Sequence, residues 1–318
     1  ETGMKKIAGY IRDFVKADFN VRLYVFVALF LAVCISLNYY FQFEHKVLNP
    51  LGKTVACMLA YIAFYAFAYF SVAIPQALLT KADYLRKRDF WIKSIILLIL
   101  LGVDGGFYYH KELLRNIKGI DSGEFYLLTK ILNNAYRYFL YLPVLFALKF
   151  VYDRGQAGLY GLSLKRFDYK HYLFFLLAIA PVLFMLSFQA DFQRSYPQMK
   201  PWITDAAFGW AEWKQTAVFE FFYLSDFVFV ELFFRGALVV GMTVLMGRHA
   251  ILPMVATYCF LHFGKPMAEA IGSIFGGYLL GIIALYSRNI LGGYAIHMGL
   301  AALMEAMGLV QHYCFPKK

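Results

Sequence analysis

The sequence predicts an all-α membrane protein, a polytopic bundle of about eight or nine transmembrane helices around an intramembrane polar cavity. Three observations support this prediction. Hydrophobic residues make up 61% of the 318 residues, and the mean hydropathy is positive. The apolar residues are gathered in runs long enough to cross a bilayer. One of these runs also carries ionisable side chains, which at bilayer depth almost always face a protein interior or a wet cavity.

Nine apolar runs approach the roughly 20 residues that a helix needs to cross a bilayer. Nine is an upper count, because the last three runs are short, closely joined and interrupted by glycine and proline. The runs cover 22–41, 54–79, 90–109, 125–152, 172–189, 215–245, 249–264, 266–287 and 290–310.

Composition divides the chain into four segments. Residues 1–21 begin with three residues before the first methionine, interpreted as an expression scar, and continue as a charged amphipathic stretch expected on the membrane surface. Residues 22–152 form an N-terminal transmembrane block. A cytoplasmic linker rich in glycine and charge, 153–171, separates this block from a C-terminal core, 172–318, which carries the ionisable motifs.

Basic residues concentrate in alternate loops between the apolar runs. The positive-inside rule makes those loops cytoplasmic, and the N-terminus with them. Orientation and anionic lipid account for the net charge of +11, so the lipid bilayer is an expected partner and nucleic acid is not. We expect an integral, multi-pass protein of a bacterial inner membrane.

Glu231 and Arg235 are the central candidate pair. They lie four residues apart and so share one face of a helix, whereas Asp226 falls on the face of Val230. Glu231 is expected to act as a general base oriented by Arg235. The alternative is that the two charges only neutralise each other inside the bundle. Glu220, near the start of the same run, is expected in solvent at the membrane interface.

Two histidines complete the candidate site. His262 ends an apolar run just before a glycine and proline break, and His297 lies inside the final run. A carboxylate and a histidine around confined water form a general-base pair that can attack a peptide carbonyl. The second histidine can donate a hydrogen bond to the developing oxyanion. Taken singly, each histidine is more often a hydrogen-bonded core residue.

Three short motifs resemble those of a known family. The stretches ELFFRG at 231–236 and YCFLHFGKP at 258–266, with the step from His297 to Ala301, look like the three motifs of the CPBP family. This family comprises the CAAX-protease and bacteriocin-processing (Abi) membrane proteins, and the resemblance covers about 215–305. It implies an intramembrane endopeptidase that hydrolyses a membrane-associated protein or peptide with water activated by glutamate and histidine.

The chain departs from the family pattern at two positions. The first motif usually begins with two adjacent glutamates, the first credited with water activation, and here that position is Val230. The third motif usually has asparagine or a similar polar residue where this chain has Ala301. Two accounts follow. Either Glu231 or Asp226, one turn before Val230, supplies the base, or the chain is a catalytically degenerate protein that serves membrane binding or assembly.

Two further hypotheses stay open from the residues alone. Both histidines with Glu231 or Asp226 have the ligand types of a zinc site, but the glutamate and histidine route needs no ion, so no cofactor is expected. The scattered cysteines indicate neither a metal pair nor a disulfide framework. A transporter would spread its polar residues along a path that includes Asp104 and Arg137, whereas a peptidase gathers the acid and both histidines around one pocket.

Overall fold

The computed structural model is almost entirely helical in the residues it describes, which are 3–52, 54–107, 109–156, 158–164, 167, 169–204 and 207–315. No β-strand occurs in these ranges, where β pairing is limited to an isolated bridge between Leu159 and Leu162. The predicted all-α class is confirmed. Glu1 and Thr2 of the expected expression scar, and residues 157, 165, 166 and 168 of the predicted linker, lie outside the described ranges.

The α-helices of the described residues are numbered in chain order. They are α1 (Gly3–Asp18), α2 (Val21–Phe41), α3 (Val55–Thr80), α4 (Arg88–Gly106), α5 (Tyr109–Arg115), α6 (Ser122–Tyr152), α7 (Lys170–Leu186), α8 (Ala190–Ser195), α9 (Glu212–Glu231), α10 (Thr243–Met246), α11 (Ile251–Leu261), α12 (Met267–Ser287) and α13 (Leu291–Cys314). A π-helical segment, Leu232–Gly241, follows α9 directly.

Six helical stretches of the described chain are long and apolar enough to cross a membrane. Together they confirm a polytopic, integral membrane protein. They are Val21–Phe41, Val55–Thr80, Arg88–Arg115, Glu212–Leu261, Met267–Ser287 and Leu291–Cys314.

The predicted runs 215–245 and 249–264 belong to one 50-residue stretch, Glu212–Leu261. Regular helix is interrupted between them at Gly247, which has a φ of 56°. Glycine adopts such a positive φ without the steric cost that a Cβ would bring. A 3₁₀ turn then leads directly into α11, so the two predicted runs are joined by a short turn.

Two other predicted runs form helices outside these six stretches. Run 172–189 contains a shorter apolar helix, Tyr172–Leu186. Run 125–152 forms most of α6, a helix of 31 residues. Two adjacent asparagines and Arg137 lie in its middle and lower its mean hydropathy.

Two compact units make up the chain, and each draws on segments that are far apart in sequence. The first unit contains Glu1–Tyr108, Leu140–Lys165 and Glu231–Ile290. The second contains Tyr109–Phe139, Arg166–Val230 and Leu291–Lys318. The segments of the two units alternate along the chain, whereas composition predicted a single division of the chain at the linker 153–171. Each unit is described separately below.

In the first unit, α11 packs against α3 and α12. Its residues 251–260 are all buried, as expected for a helix that is apolar on every face. Near its C-terminus, the ring of Phe260 lies 4.8 Å from that of Phe64 in α3 and 4.5 Å from that of Phe263. This aromatic packing fixes the end of the helix, where His262 follows.

In the second unit, α13 packs against α7, and a separate apolar cluster joins α6, α9 and the segment between α8 and α9. The cluster is built on Leu127, Met199 and Phe219, with Trp210 and Tyr223 packed against it. Burial of these side chains anchors the loop after α8.

Candidate functional site

The first-motif pair lies at the junction of α9 and the π-helical segment. The side chain of Glu231 is 0% exposed and that of Arg235 is 1% exposed, and Arg235 Nη1 lies 3.1 Å from Glu231 Oε1. All ten residues of Leu232–Gly241, Arg235 among them, are buried. The four-residue spacing therefore produces a charged pair that is wholly enclosed by protein, where its attraction is screened little by solvent.

Tyr258 connects this pair to the second motif. The guanidinium carbon of Arg235 lies 4.2 Å from the centre of the Tyr258 ring, a cation–π contact. The ring of His262 meets the same tyrosine edge to face, with ring centres 4.6 Å apart. Within the first unit, Glu231, Arg235, Tyr258 and His262 thus form one continuous cluster.

The backbone determines which ring nitrogen of His262 carries the hydrogen. Nδ1 lies 2.8 Å from the carbonyl oxygen of Tyr258. A carbonyl oxygen only accepts hydrogen bonds, so Nδ1 carries the hydrogen and the lone pair of the neutral ring lies on Nε2. Nε2 is therefore the nitrogen that can accept a proton or a hydrogen bond from a reactant.

The turn after α11 is held by residues that the sequence did not single out. Asn38 Nδ2 donates to the carbonyl oxygen of Phe263 at 3.0 Å, and the Tyr39 hydroxyl donates to that of Lys265 at 2.6 Å. Glu44 lies against Gly264 so closely that a Cβ there would be 2.5 Å from its carboxylate. Local sequence patterns cannot predict these contacts, because they join positions more than two hundred residues apart.

Glu44 lies outside the membrane-spanning stretches and gives a pH prediction. Burial raises the pKa of its carboxyl above the ordinary 4.5, outweighing the hydroxyl of Tyr61 and the charges of His45 and Lys265, which lower it. The folded state thus binds more protons than the unfolded state between these two pKa values. This contribution to stability is fully present below about pH 4.5 and is lost as pH rises through the folded-state pKa.

We therefore expect Glu44→Gln, which resembles the neutral acid, to remove that loss. The free energy of unfolding of the parent should fall with rising pH over this window, and that of the variant should fall less steeply. Chemical unfolding in detergent at a series of pH values measures both. Asp13→Asn, at an exposed position of α1, serves as the control and should keep the parent profile. Equal slopes for parent and Glu44→Gln would contradict the assignment.

A second buried ion pair supports the π-helical segment. Lys93 Nζ lies 2.8 Å from Asp153 Oδ1 and donates to the carbonyl oxygen of Gly241 at 2.7 Å. Tyr160 donates its hydroxyl to Asp153 Oδ2, also at 2.8 Å. The Tyr160 ring fills the space beside Gly241, where a Cβ would be 2.8 Å from it. These contacts fix the segment that begins immediately after Glu231.

In the second unit, Asp226 forms an ion pair with Arg137 of α6. Asp226 is mostly buried, and its charge is therefore partly neutralised by a neighbouring helix. The sequence predicts Asp226 as the alternative base and places Arg137 on the path of a possible transporter, without linking the two. Their separation of 89 positions explains why spacing rules did not find the contact.

His297 lies in α13, with its ring centre 6.2 Å from that of Phe227. Ala301, four residues on, is buried. Further along the helix, Glu305 accepts the backbone N–H of Gln198 with both oxygens, each at 3.0 Å. Glu220, expected in solvent, is half-buried and within hydrogen-bond reach of Glu305.

The candidate residues are thus distributed over both units. Glu231, Arg235 and His262 belong to the first unit, and Asp226 and His297 belong to the second. In the described part of the chain, no group of three or more His, Cys, Asp or Glu side chains is arranged to hold a metal ion.

These observations define a class of protein: an all-α, polytopic membrane protein whose apolar helices carry buried ion pairs. Comparison with protein-family models, with curated proteins and with solved structures finds no match to this chain.

Proposed function

We propose that the chain is an intramembrane endopeptidase of the CPBP type. It would hydrolyse a peptide bond of a membrane-associated protein or peptide, with Glu231 and His262 activating water and no metal required. The observation that supports this proposal most is the continuous cluster of Glu231, Arg235, Tyr258 and His262. It joins two of the three family-like motifs and places the neutral-ring lone pair of His262 on Nε2.

The reaction needs a base that takes a proton from water as the water oxygen bonds to the carbonyl carbon. Glu231 or His262 Nε2 would take that proton and deliver it to the amide nitrogen as the C–N bond breaks, which yields a new carboxyl and a new amino terminus. Arg235 would orient the carboxylate of Glu231. His297 would donate to the oxyanion, and Asp226, one turn before Val230, is the alternative carboxylate; both roles remain predictions from the sequence.

Cleavage in liposomes tests the proposal. A library of labelled peptides, each with one apolar helix and a polar tail, is incubated in ¹⁸O-water with the parent, Glu231→Ala, Asp226→Ala and the surface control Glu112→Ala. We expect the parent and the control to release fragments with one ¹⁸O in the new carboxylate, and Glu231→Ala to lower the rate by about 10²-fold or more. If cleavage is abolished in Asp226→Ala and kept in Glu231→Ala, Asp226 is the general base.

A second candidate function has its own supporting observation. Glu231 is paired with Arg235, and Asp226 with Arg137, so both candidate bases are engaged by cations. Together with Val230 and Ala301, this favours a catalytically degenerate protein that binds or assembles membrane partners. A parent that releases no labelled fragment from any library member would establish this account over the first.

We also propose a cytoplasmic N-terminus in a bacterial inner membrane. The support is the concentration of basic residues in alternate loops, including Lys81, Arg86 and Lys87 between the second and third candidate spans.

A further inference from the structure

A cavity of about 480 Å³ lies in the second unit, between the first turns of α6 and the loop after α8. Its volume falls within the usual range of small-molecule sites. Three cations, Lys130, Arg194 and Lys200, stand in its walls, and none of its described lining residues is acidic. The lining residues are Tyr126, Lys130, Arg194, Ser195, Pro197, Gln198, Lys200 and Ile203.

The walls of the cavity are fixed by hydrogen bonds. Lys130 Nζ donates to the carbonyl oxygen of Gln198 at 2.6 Å, and the backbone N–H of Lys200 donates to the Tyr126 hydroxyl at 3.2 Å. The backbone N–H of Gln198 donates to the carboxylate of Glu305, which is not a lining residue. A ligand would therefore meet a site that is already formed, which reduces the ordering cost of binding.

Three side chains in the walls of the cavity have more hydrogen-bond donors than their described contacts use. An ammonium group has three donors, and Lys130 and Lys200 each direct one of them to a backbone carbonyl. The Tyr126 hydroxyl accepts from Lys200 and can donate its own hydrogen. Lys130 is also close enough to Glu305 for attraction and to Lys200 and Lys111 for like-charge repulsion.

We propose that this cavity binds a phosphate group, carried by a phospholipid headgroup or by a free phosphate ester. Several phosphate oxygens can accept charge-assisted hydrogen bonds from Lys130, Lys200 and Arg194 at once. The loop also contains Trp202, and Trp210 follows with Lys214 over its ring at 4.5 Å. Tryptophan is typical of the membrane interface, where phospholipid headgroups lie. This site is separate from the peptidase proposal and does not depend on it.

Calorimetric titration of the full chain in a neutral detergent tests the site with three probes: glycerol 3-phosphate, dihexanoyl phosphatidylglycerol and acetate. We expect both phosphate probes to saturate and acetate to bind at least about tenfold more weakly. The double variant Lys130→Gln with Lys200→Gln should weaken phosphate binding at least about tenfold. The matched control, Lys118→Gln with Lys214→Gln, changes the net charge equally outside the lining and should bind like the parent.

The two sources of phosphate give different results. Tighter binding of the lipid than of glycerol 3-phosphate assigns the site to a headgroup, and equal binding assigns it to a free ester. The proposal would be overturned if neither phosphate probe binds or if acetate binds as tightly as the phosphate probes. It would also be overturned if the control variant weakens phosphate binding as much as the double variant does. If the double variant does not fold, the single variant Lys200→Gln is tested instead. The Lys200 side chain is only half-buried, and the one hydrogen bond described for its ammonium goes to a backbone carbonyl.

Discussion

Replacing Asp153 by alanine should lower the free energy of unfolding by about 3–5 kcal/mol. Asp153 and Lys93 form an ion pair in which each side chain is 3% exposed. Without the carboxylate, the Lys93 ammonium would remain buried against the carbonyl of Gly241, and the Tyr160 hydroxyl would lose its acceptor. A buried charge that has lost its counter-charge is far more costly than an exposed one, because solvent cannot replace the partner.

Asp83→Ala is the matched control for this prediction. Asp83 pairs with Lys87 at 3.1 Å, but the two side chains are 71% and 38% exposed, so its removal should cost no more than about 1 kcal/mol. Unfolding in mixed micelles with increasing denaturant measures both variants. Lys93→Met combined with Asp153→Leu should recover much of the loss, since an apolar pair needs no desolvation of charge. Equal costs for Asp153→Ala and Asp83→Ala would show that the pair is not a structural anchor.

Local sequence patterns were sufficient for the fold class and for one contact of the site. Long apolar runs have few alternatives to helices in a membrane, because every backbone polar group must be satisfied within the segment. The four-residue step from Glu231 to Arg235 predicts neighbouring side chains on any helix. Both predictions depend only on residues that are close in the chain.

The supports of the site could not be found in this way. Lys93 and Asp153 are 60 residues apart, and composition assigns Asp153 to the predicted linker 153–171. The position of Lys93 within the predicted run 90–109 was the one available signal, since a lysine there needs a buried partner. Spacing rules describe a single helix, whereas this contact depends on how helices pack against one another.

The break near residue 247 shows the same limit. Composition separated 215–245 from 249–264, because glycine and charge interrupt hydropathy near 247. A glycine with positive φ and a 3₁₀ turn carry the chain through this break. Hydropathy therefore located the interruption correctly, but the backbone conformation at the interruption could not be predicted from hydropathy.

In an assay in which the parent cleaves its peptide, His262→Asn should lower kcat by about 10²- to 10⁴-fold with little change in KM. Asparagine Nδ2 takes a position similar to that of histidine Nδ1 and can keep the hydrogen bond to the Tyr258 carbonyl. The substitution thus removes the lone pair of Nε2 while it preserves the bond that orients the side chain. Loss of rate without loss of stability would identify a group that acts on the reactant.

His45→Asn is the control for this substitution, because His45 is exposed in the same unit and bonds only a neighbouring asparagine among the described side chains. It should retain the parent kcat. Thermal unfolding separates the two roles that His262 can have. If His262→Asn keeps full activity, the lone pair of Nε2 takes no part in catalysis. If its melting temperature and its activity fall together, the imidazole serves to close the end of α11, and Glu231 must then activate water without it.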